Sequence, residues 1–353
     1  MRDFLCKHPI FGTCLFSCLS VILVGLVLTA GLIVLIFKTT PDGSKTSYNY
    51  KYLAGNQDSK NKFLSISIKG IILTDAEYTD PLSFFLPNYA YGYVIKNELV
   101  AAAADNSIKG VILEIDSPGG TITGANAISD GIAYYKQKTH KPVYAHISEL
   151  GASGAYWVAA SADKIIADTG SLTGSIGVIL GPFKYYDKVL SEGDFSSNVA
   201  TQNGITEFNI TAGTDKDFGD PYQKLSDNAR NVLQTGINNE YQLFVDHVSA
   251  FRKIPAATIT DKLGALVYDN KQALANKLID ATGNKDDAYT SLAAVTGAKA
   301  DDFQVVSSDQ GGLLSSLIKG ISFAKPLMQN QYCLVCGQML FLYGNPSEYI
   351  LKR

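Results

Sequence analysis

The chain has little of the material on which imidazole and metal chemistry rests. Its 353 residues include four histidines, one tryptophan and five cysteines, and 18% are charged, with a net charge of −3. Nothing in that balance suggests a nucleic-acid partner. None of the histidines has an evident Ser-His-Asp context, although triads are defined by geometry rather than spacing. His8 borders an apolar run, His140 precedes Lys141-Pro142, His146 closes a strand-like stretch and His247 lies on an amphipathic one. Cys6, Cys14 and Cys18 lie near one end and Cys333 and Cys336 near the other, with none between. A cysteine-free body is compatible with an oxidising compartment. Cys333-Leu-Val-Cys336 has C-x-x-C spacing, but no second pair or histidine cluster completes a zinc site. A local disulfide or two buried thiols is the expectation.

What the chain does have is one long uncharged run, Ile10 to Phe37. At 1.5 Å per residue it is long enough to cross a bilayer with some tilt. No A-x-A-like site ends it, so an uncleaved signal anchor over residues 1–38 is expected. Arg2, Lys7 and His8 before it nearly balance Lys38, Lys45 and Lys51 after it, so charge alone does not orient the span. The cysteine distribution favours an extracytoplasmic domain, giving a single-pass protein of the cell membrane. Residues 39–62 are polar and rich in Asn, Ser, Gly and Lys, as a linker would be.

From Phe63 onward strand and helix signals alternate. Phe63–Leu73 alternates apolar and polar residues, as in a half-buried strand, and Tyr89–Asp105 has helical spacing. Gly110–Ile115 is a β-branched apolar strand, Ala125–Lys138 a helix, Pro142–His146 a strand, Tyr156–Ala162 a helix and Lys164–Ala167 a strand. This order predicts an α/β domain with parallel strands. Tyr222–Phe251 reads as a long helix and Lys271–Leu278 as a shorter one. The domain is placed at 63–295, and 296–353 is a tail to which no role is assigned.

Three turns carry the chemistry. Asp116-Ser117-Pro118-Gly119-Gly120-Thr121 follows a buried strand, and paired glycines let the backbone approach a ligand and aim its amides. A plain tight turn explains the same glycines. Ala152-Ser153-Gly154 places a serine before an apolar run that can turn helical, where unpaired amides and the helix dipole favour a developing anion. A simple N-cap has the same signature. Ser171-Leu172-Thr173-Gly174-Ser175-Ile176-Gly177 is a further small-residue turn after a strand.

Ser-Pro-Gly-Gly at 117–120, Ala-Ser-Gly-Ala-Tyr at 152–156 and Leu-Thr-Gly-Ser-Ile-Gly at 172–177 resemble, in order and spacing, the signal peptide peptidase A family of membrane-anchored serine peptidases. The resemblance runs from about Phe63 to about Ala294. It implies a ClpP/crotonase-like α/β domain of repeated strand-strand-helix units and a Ser/Lys dyad in place of a triad. Ser153 takes the position of the nucleophile. Lys216, in Gly213-Thr-Asp-Lys-Asp217 followed by Pro221, takes that of the general base, and Ser175 that of the residue holding the lysine. The same likeness gives the amides of Gly119 and Gly154 as the oxyanion hole, with Gly120 on the substrate side.

No metal or organic cofactor is called for. The implied substrates are membrane-derived peptides such as remnant signal peptides, and homo-oligomers are implied as well. A hydroxyl needs a base within hydrogen-bond reach, and a lysine serves only when neutral. Asp215, directly before Lys216, departs from the family pattern and favours the charged lysine unless its side chain turns away. Two other readings stay open on the residues: a catalytically silent membrane scaffold that binds peptides, and a crotonase-like acyl-CoA enzyme.

Overall fold

A computed structural model describes residues 50–75, 89–181 and 224–308, with the short segments 192–193, 198–199, 214–215 and 340–342. The apolar run Ile10–Phe37, Lys216 and the cysteines Cys333 and Cys336 lie outside the described residues. Among the described residues no helix is long and apolar enough to cross a membrane.

In chain order the strands are β1 (Tyr50–Gly55), β2 (Lys62–Lys69), β3 (Ile71–Leu73), β4 (Tyr89–Tyr91), β5 (Ile108–Ser117), β6 (Gly119–Thr121), β7 (Val143–Ala152), β8 (Lys164–Ala167) and β9 (Leu172–Gly174). They continue with β10 (Glu192–Gly193), β11 (Asn198–Val199), β12 (Val267–Tyr268), β13 (Ala281–Thr282), β14 (Gln304–Ser308) and β15 (Leu340–Leu342). The α-helices longer than one turn are α1 (Gly92–Ala104), α2 (Ile122–Thr139), α3 (Gly154–Ala160), α4 (Asp227–Arg252), α5 (Asn270–Ala275) and α6 (Lys285–Val295).

The main sheet has the order β1-β14-β2-β5-β7-β8-β13. From β14 to β13 every pairing is parallel, and β1 closes one edge antiparallel to β14. Parallel strands covered on both faces read as near-continuous apolar runs. Val111, Ile112, Leu113 and Ile115 of β5 are all fully buried. Leu113 and Ile115 join a core with α1, α2 and α3, whereas Ile112 faces Tyr289 and Leu292 of α6. Each such side chain contributes about 1.5–3 kcal/mol relative to exposure.

A second, smaller sheet has the order β15-β6-β3-β4. Its origin explains the architecture. β2 and β5 each run the length of the main sheet, turn on one residue (Gly70 or Pro118), and enter the second sheet as β3 and β6. After β6 the chain goes directly into α2, whose N-cap Thr121 accepts a hydrogen bond from the Gly124 amide. This strand-strand-helix step places the Gly-Gly turn where the two sheets meet.

The elements differ from the sequence expectation mainly at their edges. Phe63–Leu73 is two strands rather than one, and Phe63, Leu64, Ser65 and Ile66 are all buried, because a sheet with two covered faces has no wet side. Tyr89–Tyr91 is a strand before the helix rather than its first turn. Within the polar stretch 39–62 lies β1, and within 296–353 lie β14 and β15. β1 is an edge strand with mostly exposed residues, so it lacks the apolar pattern by which strands are recognised.

Candidate active site

Ser153 links the end of β7 to the start of α3. Its backbone angles are φ 55° and ψ −119°, a conformation that non-glycine residues rarely adopt. Two main-chain bonds hold it there. The Ser153 amide donates to the Gly174 carbonyl at 2.8 Å, and its own carbonyl accepts the first helical bond from the Trp157 amide at 2.9 Å. The hydroxyl makes no capping bond, so Ser153 occupies the N-cap position without capping with its side chain. Its Oγ instead lies 3.5 Å from the Gly177 carbonyl, the outer limit of a hydrogen bond.

The helix that follows is pinned from behind. All seven residues of α3 are buried. Tyr156 Oη donates to the Leu278 carbonyl at 2.9 Å. Trp157 stacks on His247 of α4 with ring centroids 3.9 Å apart, and His247 Nε2 donates to the Trp157 carbonyl at 2.9 Å. Burial pushes the His247 imidazole down to about 4, so at neutral pH it is an uncharged packing group. His146 is also buried, its pKa lowered by burial against an opposing pull from Asp168, 3.4 Å away. Among the described residues, no histidine hydrogen-bonds Ser153.

Ser175 stands beside Ser153 through a parallel ladder. β9 pairs with the end of β7 in the register Leu150↔Leu172, Gly151↔Thr173 and Ala152↔Gly174, so the two serines are the next residues on neighbouring strands. Ser175 is buried, has φ 54°, and donates its amide to the Leu266 carbonyl at 2.7 Å. Gly174 itself has φ 125°. The Thr-Gly-Ser turn therefore does two things: it accepts the nucleophile-position amide and holds a second hydroxyl next to it.

The Gly-Gly turn comes from β5. Ser117 pairs with Gly151, two residues before Ser153, which brings the turn to the same end of the sheet. Gly119 has φ 98°, and its amide donates to Ser117 Oγ at 3.1 Å. Sequence reasoning assigned that amide to an oxyanion and gave Ser117 no role. The signal was present: a serine two residues before an amide is the spacing of a side-chain-to-backbone turn. Gly120 pairs with Ile72 so closely that a Cβ there would lie 1.9 Å from the Ile72 carbonyl oxygen, so no other residue fits.

The structure thus brings together Ser117, Gly119, Gly120, Ser153, Gly154 and Ser175. Lys216 is the one sequence-derived position outside the described residues, but its neighbour is described. Asp215 has φ 59°, and its carboxylate accepts a hydrogen bond from the Asn228 side chain at 3.2 Å, in the first turn of α4. That carboxylate is therefore tied to a side chain in the first turn of α4. Among the described residues, no three His, Cys, Asp or Glu side chains converge as a metal set.

Comparison with known proteins indicates a protease. Residues 135–299 match the model of Peptidase family S49, and residues 90–166 that of Clp protease, whose mixed α/β fold this is. An Enterococcus faecium protein named as a signal peptide peptidase SppA is 30% identical over 66% of this chain and 63% of its own length. Protease 4 of Haemophilus influenzae is 27% identical over 79% of this chain and 48% of its own length. The chain thus spans about half to under two thirds of these relatives. A solved membrane-bound stomatin-specific protease with a substrate peptide covers 76% of this chain and 98% of its own at 16% identity, with a TM-score of 0.41.

Proposed function

We propose, from the match of residues 135–299 to the model of Peptidase family S49, that the chain is a membrane-anchored serine endopeptidase working through a Ser/Lys dyad. Ser153 is the nucleophile, Lys216 the general base and Ser175 the group that orients the lysine. The amides of Gly119 and Gly154 receive the oxyanion, and Gly120 lies on the strand edge that receives substrate. The substrates are membrane-derived peptides, remnant signal peptides among them. Ile10–Phe37 anchors the chain in the cell membrane with the domain outside the cytoplasm, and copies assemble as a homo-oligomer.

The chemistry runs in two halves. Neutral Lys216 takes the proton of Ser153 Oγ as the oxygen attacks a peptide carbonyl, and the negative charge develops toward the amides at the start of α3. The C–N bond then breaks, and the leaving amine takes the proton from Lys216. Water, deprotonated by the same lysine, hydrolyses the acyl ester and restores the Ser153 hydroxyl. The Asp215 carboxylate, which favours a charged lysine, is bonded to Asn228 of α4.

The observation that carries the reading is the Ser153 backbone: φ 55° and ψ −119° at a helix start, with the hydroxyl unused for capping. Strain held at a single polar residue is characteristic of functional positions. A fluorophosphonate probe tests it. Wild type should label and Ser153→Ala should not, and Lys216→Ala should lose the pH-dependent rise in labelling. Equal labelling of wild type and Lys216→Ala at every pH removes Lys216 from the mechanism.

One observation favours a second reading, a silent peptide-binding scaffold. The Gly119 amide is already engaged by Ser117 Oγ. Background labelling of folded wild type would select the scaffold.

A further inference from the structure

The main sheet steps back near one edge, and a cavity opens in the step. β14 last pairs with β2 at Val306↔Leu64 and ends at Ser308. From Ser65 to Lys69, β2 has β5 as its one neighbour among the described residues. The space left there is about 400 Å³, bounded by the end of β14, by β4 and by the first turns of α1. Cavities of this size hold small organic ligands. None of Ser117, Gly119, Gly120, Ser153, Gly154 and Ser175 lines it.

Two kinds of group line the space. Leu53, Val94 and Ile95 are apolar, with the rings of Tyr89 and Tyr91 beside them. Glu98 and Glu114 bring two carboxylates, and no lysine, arginine or histidine is among the described lining residues. The two carboxylates are not equally satisfied. Glu114 accepts from Tyr289 at 2.6 Å and from Ser65 at 2.7 Å, and Lys285 lies 3.6 Å from its second oxygen. Against burial, which raises it, those three groups hold the Glu114 carboxyl below the usual range. Glu98 has no such set. It is 7% exposed, the Ser308 hydroxyl donates to Oε1, and among the described residues Oε2 has no partner. Burial accordingly pushes its carboxyl up to about 7, against a smaller lowering by Ser308.

We infer that this cavity binds a small organic primary ammonium, which donates to Glu98 Oε2 and rests its carbon body on Leu53, Val94 and Ile95. A buried carboxylate is stabilised by a paired cation that also hydrogen-bonds to it. An ammonium has three donors, so the hydroxyls of the lining can take those that Glu98 does not, and tyrosine rings attract the same charge. A calcium-sized ion would need six or more oxygens, which one unpartnered carboxylate oxygen against an apolar wall does not supply. The site stands apart from Ser153 and does not depend on the peptidase reading.

The probe is 2-phenylethylammonium chloride, and calorimetric melting of the full chain in detergent at pH 8 reads its binding. That pH lies above the Glu98 value of about 7, so the carboxylate is largely ionised. At about tenfold over its Kd the ligand should raise the melting temperature of wild type by about 3–5 °C. The same concentration of 2-phenylethanol, which has the shape without the charge, should leave it unchanged, as should sodium chloride. Glu98→Gln keeps the shape of the side chain and removes its charge, so it should lose the shift while Ser153 labels as in wild type. Val94→Trp fills the cavity and leaves the carboxylate, and should lose the shift as well. If Glu98→Gln does not fold, Val94→Trp and the 2-phenylethanol control decide the matter. No shift in wild type overturns the inference. A shift kept in either variant places the amine elsewhere and overturns it too. An equal shift with 2-phenylethanol makes the cavity a site for apolar molecules, which also overturns it.

Discussion

The amide of Ser153 donates to the carbonyl of Gly174, the residue directly before Ser175, and the two serines hold nearly the same positive φ, 55° and 54°. Side by side on parallel strands, each is turned out of its ladder at the same point. That shared turn projects two hydroxyl-bearing residues at one end of the sheet, and it has an energetic signature that can be measured.

At Ser153 the signature is strain. A non-glycine residue in a sparsely populated region costs about 1–3 kcal/mol, and glycine relieves it at the expense of some chain entropy. Ser153→Gly should therefore raise the melting temperature by about 2–4 °C, for a net gain near 1 kcal/mol in a domain of this size. It should abolish probe labelling at the same time. Scanning calorimetry of wild type and variant decides it, and a lower melting temperature in the variant would count against strain.

Ser117 holds the Gly119 amide at 3.1 Å. If that amide serves the oxyanion, the Ser117 bond stabilises the resting state and must loosen in the transition state. Ser117→Ala should cost about 1 kcal/mol of stability and speed Ser153 acylation by about fivefold, because the same interaction energy appears in the rate. Labelling kinetics under pseudo-first-order conditions provide the check. A slower reaction would mean that Ser117 orders the turn for catalysis instead of occupying it.

Gly120 tolerates no side chain. Its missing Cβ would lie 1.9 Å from Ile72 O and 2.6 Å from Ile72 N, both main-chain atoms that cannot swing away. Gly120→Ala should push β6 off β3, lower stability by about 2 kcal/mol or more, and remove labelling. Urea denaturation measures the first effect and the probe the second. Near-wild-type behaviour of Gly120→Ala would show that the two sheets separate easily here.

Glu98 on α1 predicts a pH effect far from the site. Burial raises its carboxyl to about 7, against a smaller lowering by the Ser308 hydroxyl that bonds to it. A folded-state value above the unfolded one favours the protonated form on folding. Its contribution is fully present below about pH 4.5 and is lost as the pH rises through about 7. Glu98→Gln should remove that loss, so the variant gains on wild type between pH 4.5 and pH 8 in melting temperature. His247 titrates with the opposite sign, which is why the difference between the two proteins is the quantity to follow.

Much of this was legible in the sequence, for reasons that can be named. The Val111–Ile115 strand and the alternation around it were readable because buried parallel strands leave unbroken apolar runs. The three turns were readable because small residues mark tight backbone paths. The start of α3 was read two residues late, at Tyr156, since Gly154 and Ala155 carry no helical periodicity. β1 was hidden by its exposed residues and β4 by the helix it precedes. β15 was invisible for a deeper reason. Its partner β6 is more than 200 residues earlier, and no local pattern announces a pairing across that distance. The strain at Ser153 and the Ser117–Gly119 bond are properties of three-dimensional closure, and a sequence records neither.

The long helix α4 has a mechanical consequence. Phe244, Val245 and Val248 bury its C-terminal half, and His247 there is stacked on Trp157, four residues after Ser153. At its other end Asn228 grips Asp215, the neighbour of Lys216. From Asn228 to His247 the axis spans about 28 Å of continuous helix. One rod therefore has its root on Trp157, in the helix that opens after Ser153, and its tip on Asp215. Its stiffness acts as a gauge for the spacing between those two residues, and a glycine pair or proline set midway along α4 would loosen that gauge without touching either one.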